Sequence, residues 1–197
     1  MATDREIAGN HHKNIEKANQ QKNPFTSIAE EYGKYERDDL KIDVFYKSSK
    51  EMSKDLQKWC FKLAEKNVGP YYKACSLGWQ PKVKQNDMTK SWAKFLIAKH
   101  GKENAGYVMF RFDMDYGRSV VYCYELQIEQ NYQNKGIGEH LMKCLEKMAK
   151  IYQLERVVLT VLCNNDGALR FYKRLEYSID ETNPSDEPSY AIYSKEI

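Results

Sequence analysis

The sequence predicts a single α/β domain built on a mixed, mostly antiparallel central sheet flanked by helices. Three stretches predict it. "RVVLTVL" at 156–162 is a continuous run rich in β-branched residues, the pattern of a strand buried on both faces. Apolar runs between residues 91 and 129 follow one another with short turn signals between them, as in an antiparallel meander. Residues 137–151 keep Ile137, Leu141, Cys144, Leu145 and Met148 on one side at helical spacing, with Tyr152 just beyond.

Taken in order, residues 1–25 are rich in Asn, Gln and Lys with little apolar periodicity, and read as a flexible or partly helical polar tail ahead of a domain over 26–197. "KIDVFYKS" at 41–48 alternates as a strand does. "SSKE" at 48–51 has the form of a capping box, and Met52, Leu56, Trp59, Cys60 and Leu63 then predict an amphipathic helix over 50–66. Pro70 suits a first helical turn, so "PYYKACSL" predicts a second, shorter helix. "SWAKFLIAKH" and "NAGYVMFRFD" read as a hairpin closed by "GKEN". "RSVVYCYELQIE" follows a turn at Tyr116-Gly117. After the 137–151 helix and the 156–162 strand, "NNDGALRFYKRL" predicts a short Asn-capped helix. A last hairpin joins "YSID" to "SYAIYSK" through the acidic loop "ETNPSDEP".

Composition narrows the class. With 197 residues the chain can bury one full core. Lys and Arg number 31 against 28 acidic residues, a net charge of +3, too balanced to predict nucleic-acid binding. No apolar run approaches the roughly 20 residues of a membrane span, and the polar N-terminus lacks a signal-peptide core. Five scattered cysteines with no C-x-x-C pair point to a reduced, intracellular setting. The histidines offer no paired spacing for zinc, so no metal is expected.

Gln133-Asn134-Lys135-Gly136-Ile137-Gly138 has the form Q-x-x-G-x-G between a strand and a helix. Free N–H groups and the dipole at a helix start favour an anion, and glycine lets backbone approach it closely. No G-K-[ST] follows, and the string lies late in the chain after a meander, so neither a Walker loop nor a dinucleotide fingerprint is indicated. By itself the string fits an anion cradle or a plain glycine turn.

The loop is followed, after the next strand, by Val161, Asn165, Ala168, Phe171 and Tyr172 in the form V-x-x-x-N-x-x-A-x-x-F-Y. Together the two motifs resemble the GCN5-related N-acetyltransferase superfamily over about residues 40–195. The resemblance implies acetyl-CoA as co-substrate. Its acetyl and pantetheine arm would lie on the backbone of Leu126, Gln127 and Ile128. Its pyrophosphate would lie on Gln133, Asn134, Lys135, Gly136, Ile137, Gly138 and Glu139, and Asn165 would bond the CoA arm. Tyr172 stands where many members use a tyrosine to protonate the departing thiolate.

"FRFDMDYGRSVVYCYELQIE", with "LTVLCNNDGA", "IDETNPS" and "SYAIYS", is more specific. It resembles the N-alpha-acetyltransferase D branch, enzymes that acetylate the N-terminal serine of histones H4 and H2A. The resemblance implies those histone tails as partners, a nuclear and cytoplasmic location, monomeric action, and no direct contact with nucleic acid or membrane. It implies Glu125 as catalytic base, with Tyr72, Tyr122, Tyr124, Thr160, Thr182 and Tyr190 around the peptide. Leu77 stands where that branch carries a tryptophan, and Tyr172 where it carries phenylalanine.

The chemistry of the residues agrees with this. An α-amine has a pKa of about 8 and a lysine amine about 10.4, so at neutral pH deprotonation costs roughly 1–1.5 kcal/mol for the first and roughly 4–5 for the second. A carboxylate, directly or through a water, is a reasonable base for the first. Successive strand residues face opposite ways, so Tyr124 and Glu125 share one pocket only if the strand bulges between them. Asp113 and Asp115, with Asp180, Glu181, Asp186 and Glu187 in the last loop, would flank a cleft suited to a substrate beginning Ser-Gly-Arg-Gly. Asp113 is the candidate to pair with its arginine.

Overall fold

The computed structural model describes residues 4–197, with side chains from residue 9 on. In chain order the elements are α1 (Asp4–Gln20), α2 (Ala29–Tyr32), β1 (Lys34–Arg37), β2 (Leu40–Ser48), α3 (Lys54–Lys73), α4 (Pro81–Thr89), β3 (Lys94–His100), β4 (Glu103–Asp115), β5 (Arg118–Ile128), α5 (Ile137–Ile151), β6 (Arg156–Leu162), α6 (Asp166–Arg174), β7 (Ser178–Ile179) and β8 (Tyr190–Glu196). The eight strands form one sheet in the order β1-β2-β3-β4-β5-β6-β8-β7. Every neighbouring pair is antiparallel except β5 and β6, which α5 joins as a crossover. This is the mixed, mostly antiparallel α/β architecture that the sequence predicts.

Each face of the sheet carries its own apolar core. On one, Leu141, Cys144, Leu145 and Met148 of α5 meet Val108, Phe110, Val121, Cys123, Val157 and Leu159. On the other, Cys60, Leu63 and Ala64 of α3 and Met88 of α4 meet Phe95, Ile97, Tyr107 and Met109. Alternation along β4 sends Phe110 and Phe112 to the first core while Tyr107 and Met109 serve the second. Beyond the reach of α3 and α4, the second face of β5, β6 and β8 lies open.

The segment read as a polar tail belongs to the first core. Residues 1–3 lie outside the described residues, and residues 4–20 form α1. Ile15 and Ala18 are buried in the same cluster as α5, as are Phe25 and Ile28 just after. Polar side chains fasten the helix to the sheet: Asn19 donates to the Phe112 carbonyl at 3.1 Å and accepts from Lys94 Nζ at 3.0 Å, and His11 lies 3.1 Å from Ser119 Oγ. So few apolar anchors give almost no periodic signal. The domain boundary expected at residue 25 therefore falls inside a continuous core.

Two other differences concern helices. The capping box at Ser48–Glu51 closes a single 3-10 turn, and Ser53 caps α3 instead, its hydroxyl accepting from the Leu56 N–H. α3 then runs through Pro70, so the expected second helix is its last turn. A proline in a helix interior forgoes one backbone bond. Trp79 offsets this by packing on Gly69 and tilting against the rings of Phe61 and Tyr72. The separate helix is α4, which buries only Met88 and has no apolar stripe to announce it.

An acidic side chain at Ala18, which is fully buried, has no partner there. Ala18→Asp should lower unfolding stability by roughly 3 kcal/mol, read as a fall in urea midpoint at unchanged m-value. An unchanged midpoint would mean that α1 is not part of the cooperative unit.

Candidate active site

The register of β4 against β5 slips by one residue: Met109 faces Glu125, and Phe110 faces Cys123. Tyr124 is the extra residue of a β-bulge. Before it, Val121 and Cys123 point to the α5 core while Tyr122 and Tyr124 point the other way, their rings 5.0 Å apart. After it, Glu125 also points to the α3–α4 side and Leu126 to the α5 side. The bulge therefore sets Tyr122, Tyr124 and Glu125 on one face, as the sequence requires of a shared pocket.

The bulge coincides with a parting of strands. β5 pairs with β6 only over Val120–Cys123, although both continue further. The gap opens into a cleft of about 940 Å³, lined by Leu126, Ile128, loop residues Gln133, Asn134 and Gly136 through Glu139, and by Asn165, Phe171 and Tyr172. Glu129 N–H bonds the Ala105 carbonyl, so alternation turns the backbone of Leu126 and Ile128 toward the gap and that of Gln127 toward β4. The Ile128 carbonyl accepts from Asn67 and from Gln133, each at 3.1 Å, which ties the loop to β5. Gln133 is thus a tether of the loop. Gln127 is buried, its side-chain amide donating to Glu125 at 2.7 Å and its carbonyl accepting from Asn67 at 3.2 Å.

The loop itself is built as an anion cradle. Asn134 and Gly136 have positive φ, 60° and 84°, a pattern that curls successive N–H groups inward. Among the described residues, the N–H groups of Asn134 through Glu139 donate to no backbone carbonyl, and Gly136 caps α5 without a side-chain bond. Of these six orphan donors at a helix start, five belong to residues that line the cleft, which fits a pyrophosphate. Glu139 contributes its N–H only, since its carboxylate pairs with Lys143 at 2.7 Å. Lys135 leans over the Tyr132 ring, and its carbonyl accepts from the Tyr35 hydroxyl at 2.9 Å. The Asn165 side chain accepts from the Ala168 N–H at 3.1 Å as the cap of α6, leaving its amide N–H group for a ligand. Tyr172 is buried at the inner end, and burial pushes its hydroxyl well above the ordinary phenol range.

Glu125 is buried and ion-paired. Its carboxylate accepts from Lys84 Nζ of α4 and from Gln127. Burial is the largest influence and lowers the Lys84 ammonium, but the charge and hydrogen bond of Glu125, with Tyr72 and Asp87, together outweigh it and hold Lys84 above the ordinary lysine range. Lys84 also lies 5.6 Å from the Tyr72 ring centre. No pattern in the sequence signals this lysine, because the pair spans 41 residues and α4 carries no motif.

Of the remaining predicted residues, Thr160 and Tyr190 share the open face with Tyr122. Thr160 is exposed, its hydroxyl 2.8 Å from that of Tyr122. Tyr190 of β8 is half-buried on the same side. Asp113 pairs with Arg111, whose guanidinium lies over the rings of Trp92 and Tyr124 at 5.1 and 5.2 Å. Burial raises the Asp115 carboxyl, with Asp180 and Asp113 adding to the rise against the pull of Arg156. The last acidic loop has a compensating base: buried Arg156 donates to Asp180 at 2.7 Å and to Glu181 at 3.2 Å. The Thr182 hydroxyl bonds Asp180 at 2.6 Å, so its first role is to shape that loop. Glu187 accepts from the Ser189 N–H at 2.7 Å, and Asp186 is exposed. Leu77 is half-buried beside Trp79, and its carbonyl accepts from Gln80.

At Gly136 an added Cβ would meet the Tyr35 hydroxyl, on a backbone that L side chains rarely adopt. Gly136→Asp adds a negative charge as well. Coenzyme A affinity by calorimetry should fall at least tenfold while the circular dichroism spectrum is kept. Unchanged affinity would remove the loop from the cofactor site.

Comparisons with known proteins agree with this geometry. In sequence, the chain is similar to the spermine/spermidine N(1)-acetyltransferase of Bacillus subtilis and to a probable spermine N(1)-acetyltransferase of Bacillus subtilis subsp. natto. Each is 29% identical over 80 residues, which cover 38% of this chain and 53% of the relative. The chain spans about half the length of these curated relatives. In structure, it is similar to Arabidopsis thaliana NAA60 bound to a bisubstrate analogue (TM-score 0.59, 14% identity, 78% of this chain and 99% of that one). It is also similar to Arabidopsis thaliana Naa50 with a bisubstrate analogue (0.55, 18%, 78% and 99%). A third likeness is to the PaiA N-acetyltransferase of Thermoplasma acidophilum in complex with coenzyme A (0.59, 16%, 79% and 99%). At these identities the structural likeness is one of fold. The description "Acetyltransferase (GNAT) family" matches residues 53–177, which run from the cap of α3 through the bulged strand, the anion cradle and α6, and the chain belongs to that family.

Proposed function

We propose that this acetyltransferase is a protein N-alpha-acetyltransferase of the D type. It would move the acetyl group of acetyl-CoA to the N-terminal serine amine of histones H4 and H2A, with Glu125 as general base. The observation that carries the reading is the bulge at Tyr124. It sets a buried carboxylate beside two tyrosines on the open face, back to back with the cleft that fits the co-substrate. The acetyl thioester supplies the electrophile. Leu126 and Ile128 turn backbone groups toward its arm, and the 134–139 cradle holds its pyrophosphate. As the substrate nitrogen bonds the acetyl carbon it must shed a proton, and Glu125 is the carboxylate beside it. A thiolate whose conjugate acid has a pKa of about 8.5 leaves with little help. Tyr172 lines the cofactor side of the cleft.

Asp113, Asp115 and Glu181 give the open face an acidic rim, which supports a basic tail such as Ser-Gly-Arg-Gly. Asp113 would share its charge between Arg111 and the third residue of the substrate. The same reading gives histone tails as partners, monomeric action, and work in nucleus and cytoplasm without direct contact with nucleic acid. Among the described residues no helix is long and apolar enough to cross a membrane. A second reading has a specific observation behind it. The curated relatives are named for spermine and spermidine, and an acidic rim suits a polyamine too.

The two readings separate on a panel of acceptors: a Ser-Gly-Arg-Gly peptide, its Ser-Gly-Ala-Gly counterpart, lysine peptides with blocked N-termini, and spermine. Turnover of the Ser-Gly-Arg-Gly peptide should exceed that of spermine; the reverse would move the protein to the polyamine class. Asp113→Ala should raise KM for the Ser-Gly-Arg-Gly peptide by about 10- to 100-fold, the effect of losing a bond worth roughly 1.5–3 kcal/mol. The Ser-Gly-Ala-Gly peptide should change little, and equal losses would make Asp113 structural. Glu125→Gln should lower kcat/KM at pH 7 by about 10²–10⁴ with coenzyme A binding kept. The deficit should shrink as pH rises past the α-amine pKa, because the amine then arrives already neutral. Near-normal activity at pH 7 would assign the proton to another group.

A further inference from the structure

Lys84 is ion-paired to the carboxylate, and the reaction as described does not use it. It reaches Glu125 from α4, its side chain 18% exposed against 6% for Glu125. The groups facing the pair come from every element packed on it. Tyr72 and Cys60 lie on α3, Asp87 on α4, Tyr107 on β4, Cys123 and Gln127 on β5, and Tyr172, whose hydroxyl burial pushes up and keeps neutral, on α6. Burial pushes both thiols and the Tyr107 hydroxyl up, so they stay neutral; Gln127 is a neutral donor, and Asp87 is partly exposed. The buried centre of the site is therefore one carboxylate cancelled by one ammonium.

A lone buried carboxylate would draw in any ammonium and hold it protonated, which disables it as a nucleophile. A pair without net charge does neither. At pH 7 roughly one α-amine in ten is neutral, against fewer than about one lysine amine in a thousand. A site that admits the neutral form thereby favours α-amines by a factor on the order of 10². We propose that Lys84 is a specificity-determining residue, a built-in cation at Glu125 that keeps out charged side-chain and polyamine nitrogens and so selects the neutral α-amine of a chain terminus. This rests on Glu125 lying beside the incoming nitrogen.

The test compares kcat/KM for a Ser-Gly-Arg-Gly peptide with that for spermine and for an N-terminally blocked lysine peptide, in wild type and in Lys84→Met, Lys84→Gln and Lys84→Arg, between pH 6 and 9. The ratio of α-amine to side-chain amine should fall at least tenfold in the Met and Gln variants and stay within about threefold in the Arg variant. In kcat against pH, the limb set by the bound α-amine should move upward in the Met and Gln variants, because an uncancelled carboxylate stabilises the ammonium. Gln keeps a donor to Glu125, so the measurement survives if Met does not fold. Equal loss on all amines with an unmoved limb would make Lys84 structural and overturn the proposal. If wild type turns over only spermine, the N-terminal reading fails and the selection proposed for Lys84 is overturned with it. If Glu125→Gln is fully active while Lys84→Gln still shifts the ratio, Glu125 is not the base but Lys84 still selects.

Discussion

The one-residue slip of β5 against β4 at Tyr124 governs the site. A regular strand would turn Glu125 into the α5 core beside Cys123, where a carboxylate has no partner. It would also leave β5 alongside β6 for the rest of their length. With the extra residue, β5 stops pairing with β6 after Cys123, and the freed backbone of Leu126 and Ile128 faces the cleft. One local irregularity thus supplies the carboxylate pocket on one face and the cofactor cleft on the other. Tyr107, directly beneath, bonds the Cys60 carbonyl at 2.9 Å and holds α3 against the bulge.

Around that slip, the charges are nearly all paired. Glu125 has Lys84, Asp113 has Arg111, and Asp180 has Arg156. Buried ions are tolerated only with such partners. Asp180 shows the balance: burial raises its carboxyl, but bonds from Ser194 and Thr182 and the Arg156 charge outweigh it and hold it below the ordinary range. The open face is therefore less acidic in effect than its sequence suggests.

The N-terminal segments extend the acetyltransferase domain on the side of the cradle. Tyr35 of β1 bonds the Lys135 carbonyl and lies against Gly136, and His140 of α5 sits between Tyr32 and Tyr35. α1 closes the far end of the same core. Both lie outside the residues that match the family, yet both pack on elements within it.

By itself the sequence determined the fold class, the meander, the Gly-rich cradle before α5 and the Asn cap of α6. These are written in local patterns: alternation, a 3.6-residue period, and turn and cap residues at fixed offsets. It also required a bulge near Tyr124, because two neighbours on a strand cannot otherwise share a face. Only the tertiary structure decided the rest. α1 joins the core through Ile15 and Ala18, too few contacts to make a period. α3 runs through Pro70 because Trp79, beyond the helix, packs on Gly69. Lys84, Arg111 and Arg156 are ordinary basic residues until folding brings them to particular carboxylates. An ion pair across 41 residues leaves no trace in spacing, since electrostatic partners are set by distance in space and not along the chain.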